Sequence, residues 1–276
     1  MAEQTGGYAL LAIGGGHVDR IGRIAGPFVP GASNPGHLTY SVGGGALNAL
    51  RNAKLRGIAP VAMISARGGD HDGSIVAGAI ETAGIADLSA VFLDRRTASY
   101  TAILDDAGEQ IAGLADMDIY ETALPRQLRR KGLREAIASA GAILVDANLP
   151  AATLALIGDL SSAPIFAVAI SPAKVVRLLP MAKRLATVFM NRREMKALSG
   201  NAGDAQGIDG LRALGFSRAV VTGGSGPVLV LDGDASVRVS QPPAGDVADV
   251  TGAGDALAGA TIARLLSTPG VALAEA

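Results

Sequence analysis

Short, wholly apolar runs of strand length recur along this chain between longer amphipathic stretches, and that alternation narrows its fold more than any other feature. The runs cover residues 8–13, 60–64, 142–145, 165–169, 187–190 and 219–222. A strand that is apolar at nearly every position needs cover on both faces, which parallel sheets receive from their crossover helices. Between the runs, residues 46–56, 73–83, 124–140, 172–185 and 204–214 carry apolar side chains at helical spacing. This repetition predicts an α/β fold with right-handed crossovers and helices on both faces of one sheet.

Two stretches break the rhythm and read as antiparallel ribbon. One is residues 37–42; the other is 97–105, the turn Asp105-Asp106-Ala107-Gly108, and a return strand over 109–113. Such strands, inserted early in an α/β fold at the end where the sheet strands stop, form a flap over a pocket. The plain alternative is an edge hairpin that only packs. With no long linker, repeat or low-complexity segment, the chain reads as one domain over residues 1–276, with lid strands inserted at about 37–43 and 97–113.

Composition excludes several classes of function. Hydrophobic residues make up 49% and charged residues 18% of the chain, which excludes disorder. A net charge of -1 provides no basic field for a nucleic-acid backbone, so no nucleic-acid partner is expected. The absence of cysteine removes disulfides, iron–sulfur clusters and thiol nucleophiles, and His17, His37 and His71 lack zinc-ligand spacing. No apolar run is long enough to span a bilayer, and the first residues lack a basic leader segment, so a cytoplasmic protein without membrane attachment is expected.

Glycine is abundant, and four clusters place backbone amides where an anion would lie: Gly14-Gly15-Gly16, Gly43-Gly44-Gly45, Gly223-Gly224-Ser225-Gly226 and Gly252-Ala253-Gly254. A dinucleotide fingerprint needs a further glycine, and Asp19, Asn48, Leu229 and Leu257 stand at that place. A dehydrogenase is thereby disfavoured. No lysine follows a glycine, which removes the Walker phosphate loop. What remains is Asp249-Val250-Thr251-Gly252-Ala253-Gly254-Asp255 ahead of the helical run 256–266. A glycine turn opening a helix offers unpaired N–H groups and the positive end of the dipole, a place for phosphoryl oxygens. Asp255, in the first turn, is then placed to take a proton from an attacking hydroxyl; alone, it would read as a helix cap.

Taken together these residues resemble the ribokinase-like (PfkB) carbohydrate kinases over nearly the whole chain. Thr251-Gly252-Ala253-Gly254-Asp255 with Ala256, Gly259 and Ala260 resembles the family's C-terminal signature. Gly43-Gly44-Gly45-Ala46-Leu47-Asn48-Ala49, with Leu55-Arg56-Gly57, resembles the N-terminal one, and Asn191-Arg192-Arg193-Glu194 resembles its N-x-x-E motif. Ser33-Asn34-Pro35-Gly36, residues 115–120 and Val145-Asp146-Ala147-Asn148-Leu149-Pro150 are similar to the pseudouridine kinases within it.

The resemblance implies a three-layer α/β/α sandwich with a small β-strand lid, and an ATP- and magnesium-dependent kinase acting on the 5′-hydroxyl of a ribosyl substrate. Pseudouridine is the expected substrate; ribose, another nucleoside or sugar, and a non-catalytic sensor of the same fold are the alternatives. It implies Asp255 as catalytic base with an anion hole from the amides of Gly252, Ala253 and Gly254. Asp19, Ser33, Asn34, Gly44 and Asn48 would surround the ribose, while Gly45 and Leu47 stand where relatives vary with substrate. Asn191 and Glu194 would order water around magnesium, although the same pair spells a capping box. Thr222, Gly223, Gly224 and Gly226 would meet the nucleotide, and Asp249 and Thr251 would begin a potassium site. Residues 271–276 read as the start of a helix, and since relatives wall the adenine pocket with helices further on, the resemblance assigns no adenine contacts here. The lid ribbon offers an edge on which a second copy would pair as a homodimer.

Overall fold

Alternate residues of each apolar run point to opposite sides of one sheet, and both sides are covered. The structure is a computed structural model and describes residues 7–241 and 250–276. Leu11, Ile13, Val145, Ala167 and Val188 pack on one face with Ile137, Leu154, Ile157, Met195 and Leu211. Leu10, Ala12, Leu144, Phe166 and Phe189 pack on the other with Leu47, Leu50, Val76, Ile80 and Ile262. Each large side chain so buried contributes about 1.5–3 kcal/mol.

In spatial order the parallel strands are Arg218–Gly223, Leu185–Asn191, Ile165–Val168, Ile143–Asp146, Leu10–Ile13, Val61–Ile64 and Ala86–Asp87. Gly226–Asp232 and Ala235–Val239 extend the first edge antiparallel. The result is the three-layer α/β/α sandwich that the resemblance implies.

A second sheet stands beyond the strand ends, in the order Gly36–Gly43, His17–Ile24, Ser99–Leu104, Gln110–Asp116. Gly36–Gly43 covers the first expected ribbon stretch, and Ser99–Leu104 paired antiparallel with Gln110–Asp116 covers the second. The strand His17–Ile24 had no counterpart in the sequence reading, because HVDRIGRI mixes polar and apolar residues and follows a triple glycine that reads as a turn. Asp19 therefore sits within a lid strand, paired with Ser41 and Tyr100.

Other boundaries differ for local reasons. The helix expected over 124–140 is broken into Leu124–Gln127 and Lys131–Ser139, with Arg130 extended between them. The stretch 172–185 is a 3₁₀ run, Val175–Arg184, with Pro180 inside it, and Leu185 already begins a strand. Residues 271–276 contain only the 3₁₀ turn Leu273–Glu275.

The lid is tied to the core at its root. The helix Asp118–Thr122, which follows the last lid strand, carries the fully buried Tyr120. Its hydroxyl accepts the Gly16 N–H at 3.0 Å and donates to the Gly16 carbonyl at 2.9 Å. The chain's exit from the lid is thus pinned to the turn through which it enters.

Candidate active site

Two helices set the centre of the site, Gly45–Leu55 and Ala253–Ser267. They approach closely because the facing residues are small. A Cβ added at Gly259 would lie 2.3 Å from the Ala49 carbonyl oxygen and 2.6 Å from the Asn52 Cβ. One turn before Gly259 lies Asp255, and one turn before Asn52 lies Asn48, so the same contact brings these two side chains together. Asn48 Nδ2 donates to Asp255 Oδ2 at 3.0 Å. The helix cap is Gly252, with no side-chain cap bond, so Asp255 is not engaged as a cap.

Asp255 faces a cleft of about 530 Å³ and shares its lining with Asp19, Gly44, Gly45, Asn48, Asn191, Glu194, Thr222, Thr251, Gly252 and Gly254, a volume in the range of small-molecule sites. Burial pushes the Asp255 carboxyl up to about 6; the Asn48 amide pulls it down, and Asp146 and Asp19 raise it again. A helix N-terminus by itself would have lowered it. Desolvation wins, and at neutral pH this group is a carboxylate with ready proton affinity.

The triple glycine Gly14-Gly15-Gly16 is not an anion cradle. Its amides donate in turn to the Ile64 carbonyl at 3.1 Å, Asp146 Oδ2 at 2.8 Å and the Tyr120 hydroxyl at 3.0 Å. Glycine is required because a Cβ at Gly14 would stand 2.6 Å from the Asp146 carboxyl carbon. Asp146, fully buried, also accepts from the amides of Ala46 at 3.2 Å and Asn148 at 3.0 Å. It thereby joins the turns after two strands of the central sheet and one lid strand. Gly44, at φ 112°, bends the second glycine run beneath the first, where a Cβ would lie 2.2 Å from the Gly15 carbonyl oxygen.

On the other side of the cleft, Gly252 and Gly254 line the wall while Ala253 does not. The Ala253 N–H donates to the Val250 carbonyl at 3.1 Å, which removes it from the expected anion hole. Of the segment 222–226 only Thr222 lines the cleft; Gly223 and Gly226 pair across a hairpin, Gly224 forms its turn, and the Arg192 guanidinium lies against Gly223. Asn191 and Glu194 form the capping box: Asn191 Oδ1 accepts the Glu194 N–H at 3.0 Å, and Glu194 Oε2 accepts the Asn191 N–H at 2.7 Å. Both also line the cleft. Burial pushes the Glu194 carboxyl up, against the Asn191 hydrogen bonds that lower it.

Ser33 and Asn34 are not brought to the cleft. Asn34 ties its own exposed loop together, donating to the Val29 and Ala32 carbonyls at 3.0 Å and accepting the Val29 N–H at 2.8 Å. It borders a separate hollow at the far end of the lid with Arg23, Phe28 and Leu38. Leu47 is fully buried and faces the core, so it does not read substrate, whereas Gly45 lines the cleft. Asp249 lies outside the described residues; Thr251 lines the cleft.

Sequence reasoning assigned no role to His17, Asn148, Ser171 and Lys174, nor to the lid residues Tyr100, Ala115 and Met117, all of which line the cleft. Asn148, Ser171 and Lys174 follow the carboxyl ends of apolar parallel strands, where open α/β sheets gather ligands, and that position is the signal that finds them.

The profile of the pfkB family carbohydrate kinases matches residues 12–276. A pseudouridine kinase from Escherichia coli (strain K12) is 29% identical over 255 residues, covering 90% of this chain and 80% of the relative. Among solved structures, a carbohydrate kinase from Agrobacterium tumefaciens is 42% identical with a TM-score of 0.81, over 96% of this chain and 85% of that one. A ribokinase from Arabidopsis thaliana, solved with ribose and ATP, superimposes with a TM-score of 0.83 at 18% identity, over 97% and 88% of the two chains.

Proposed function

The chain belongs to the pfkB family of carbohydrate kinases, and from that premise we propose that it transfers the terminal phosphoryl group of ATP to the 5′-hydroxyl of pseudouridine, giving pseudouridine 5′-phosphate. As a member of that family it is a phosphotransferase acting on a sugar or nucleoside hydroxyl. The observation that carries the chemistry is the Asp255 carboxylate, half-buried at the cleft wall, pushed up to about 6 and oriented by Asn48. The similarity to a pseudouridine kinase supports the choice of nucleoside.

Phosphoryl transfer passes through a loose transition state, so the protein's work is alignment and charge stabilisation. Asp19, Gly44 and Asn48 hold the ribose, and Asp255 receives the hydroxyl proton as the new bond forms. The start of the helix Ala253–Ser267, with Gly252 and Gly254 at the wall, faces the charge on the transferring oxygens. Among the described residues no group of three or more acidic or histidine side chains makes a metal cage. A single buried Glu194 at the wall fits a magnesium ion held chiefly by phosphate and water. Magnesium bound there would neutralise phosphate charge, with Asn191 and Glu194 orienting its water. Lid residues Tyr100, Ala115 and Met117 would keep bulk water from the phosphoryl group.

The test is ADP release from Mg-ATP with pseudouridine, uridine, other nucleosides, ribose and fructose as acceptors. Pseudouridine should give a kcat/KM at least about tenfold above ribose, equivalent to about 1.4 kcal/mol of differential transition-state binding. A preference for ribose or fructose would refute the substrate, and no turnover of any acceptor would favour the sensor.

A further inference from the structure

The cleft has a polar region that the transfer step leaves without a task. It runs across the ends of the sheet strands, with Thr222 and Asn191 at the ends of Arg218–Gly223 and Leu185–Asn191. Further along, Lys174 follows Ile165–Val168, Asn148 follows Ile143–Asp146, and His17 follows Leu10–Ile13. These last three therefore lie at the end remote from the phosphoryl donor.

Lys174 is delivered by a strained turn. The Ser171 N–H donates to the Ala169 carbonyl at 2.9 Å around Ile170, whose φ is 70°. This is the positive-φ form of the γ-turn, closed on a β-branched residue that rarely adopts it. Ile170 is the one non-glycine residue with positive φ among the described residues. Strain of this kind persists where surrounding structure fixes a site.

The groups it brings together are incompletely satisfied. Lys174 Nζ donates to Asn148 Oδ1 at 2.6 Å, which fixes the amide and leaves its Nδ2 buried without a partner. His17 Nε2 faces Asp19 Oδ1 at 3.3 Å, and its Nδ1 is likewise buried and unpartnered. A Cβ at Gly15 would stand 2.8 Å from Asn148 Nδ2, 3.2 Å from Asp146 Oδ2 and 3.3 Å from His17 Nδ1, so both atoms, with the Asp146 carboxylate, converge beside the Gly15 backbone where only glycine fits. Asn148 is 2% and His17 7% exposed. Buried polar atoms are seldom left unpaired unless a ligand or water completes them.

The inventory selects the ligand. Lys174 retains two N–H donors and the Asn148 amide two more, against two acceptors, the Asp146 carboxylate and His17 Nδ1 in the tautomer that points Nε2–H at Asp19. Burial weighs first against the Lys174 charge, Asp146 and Glu121 support it and Arg177 opposes it; the Asp146 carboxylate beside the site favours a neutral oxygen over an anion. A ring carbonyl beside an N–H meets this set, whereas sugar hydroxyls each bring a competing donor.

We propose that Lys174, Asn148 and His17 form a specificity subsite that reads a carbonyl oxygen, with its neighbouring N–H, on the ring attached to C1 of the sugar. The inference rests on the reading of this cleft as a ribosyl-nucleoside kinase. The test compares kcat/KM of the wild type and of Lys174→Met for pseudouridine and for ribose. The variant should lose roughly 10- to 100-fold on pseudouridine, chiefly in KM, as for a lost hydrogen bond to a charged group, and change within about threefold on ribose. Equal losses on both acceptors, or none, would overturn the subsite while leaving the kinase reading intact. Wild-type turnover of ribose but of no nucleoside would overturn both. A second measurement needs no variant: the wild type should turn over 1-β-D-ribosylbenzene, which lacks the carbonyl, with the same 10- to 100-fold deficit relative to pseudouridine, and parity would equally sink the proposal.

Discussion

Asn48 and Asp255, 207 positions apart in the chain, meet across 3.0 Å, the amide nitrogen of one donating to the carboxylate of the other. The pair fixes the direction of the only aspartate in the first turn of the helix Ala253–Ser267. It also tempers the effect of burial on that carboxyl, since the hydrogen bond favours its charged form.

The pH dependence of turnover follows from this balance. A base must be unprotonated, so kcat/KM should rise about tenfold per pH unit on the acid side, bend near pH 6 and level above about pH 7. Asn48→Ala removes an influence that lowers the pKa, so its acid limb should move to higher pH. Profiles of kcat/KM over pH 5–9 for both proteins check this, and superimposable limbs would disprove the link.

Asp255→Asn should reduce kcat by roughly 10²- to 10⁴-fold, the span of a lost general base, while calorimetry shows nucleotide still bound. The same change should stabilise the fold. With a folded pKa near 6 against an ordinary 3.8, the native state binds the extra proton, so stability falls as pH rises from about 4 to about 6 and is flat beyond. Relief of that cost should be on the order of 2 kcal/mol at pH 7–8, a gain of several degrees in Tm, and should vanish near pH 4. An unchanged Tm difference across this range would contradict the burial argument.

The strands were legible because a fully covered parallel strand must be apolar on both faces, and the signature Thr251-Gly252-Ala253-Gly254-Asp255 because a glycine turn opening a helix is a local feature. The partner of Asp255 depends instead on two small-residue helix faces meeting far apart in sequence. Four glycine clusters looked alike as sequence, yet the amides of Gly14, Gly15 and Gly16 are all taken by protein acceptors, one of them the distant Asp146. Likewise Asn34 stands beside residues that suggest a site, but its loop folds upon itself. Local spacing predicts which groups are available, and only tertiary contacts decide which remain free.

The two roles of the Asn191–Glu194 pair can be separated. Glu194→Gln keeps an oxygen able to accept the Asn191 N–H, so Tm should stay within about 2 °C, a shift worth under 1 kcal/mol. Loss of the charge should raise the magnesium concentration for half-maximal activity several-fold. Asn191→Ala should instead cost about 1 kcal/mol of stability by removing the cap. Magnesium titrations with thermal melts distinguish them; a Glu194→Gln enzyme with unaltered magnesium dependence would leave the pair a cap alone.

Gly259 lies directly against the backbone of the facing site helix, and its substitution tests whether that contact places the base. By helix propensity alone, glycine to alanine stabilises by about 1 kcal/mol, and Gly78→Ala in the helix His71–Thr82, where the new Cβ meets nothing within 4 Å, should do so with kcat unchanged. At Gly259 the Cβ would stand 2.3 Å from the Ala49 carbonyl oxygen and 2.9 Å from the Ala53 nitrogen. Backbone atoms cannot yield as a flexible side chain can, so the helices must separate, at a cost of about 1–3 kcal/mol. Separation lengthens the Asn48–Asp255 contact one turn away, and kcat should fall at least about tenfold even at temperatures where the variant is fully folded. A Gly259→Ala protein as stable and active as the Gly78→Ala control would show that the helix contact does not set the position of Asp255.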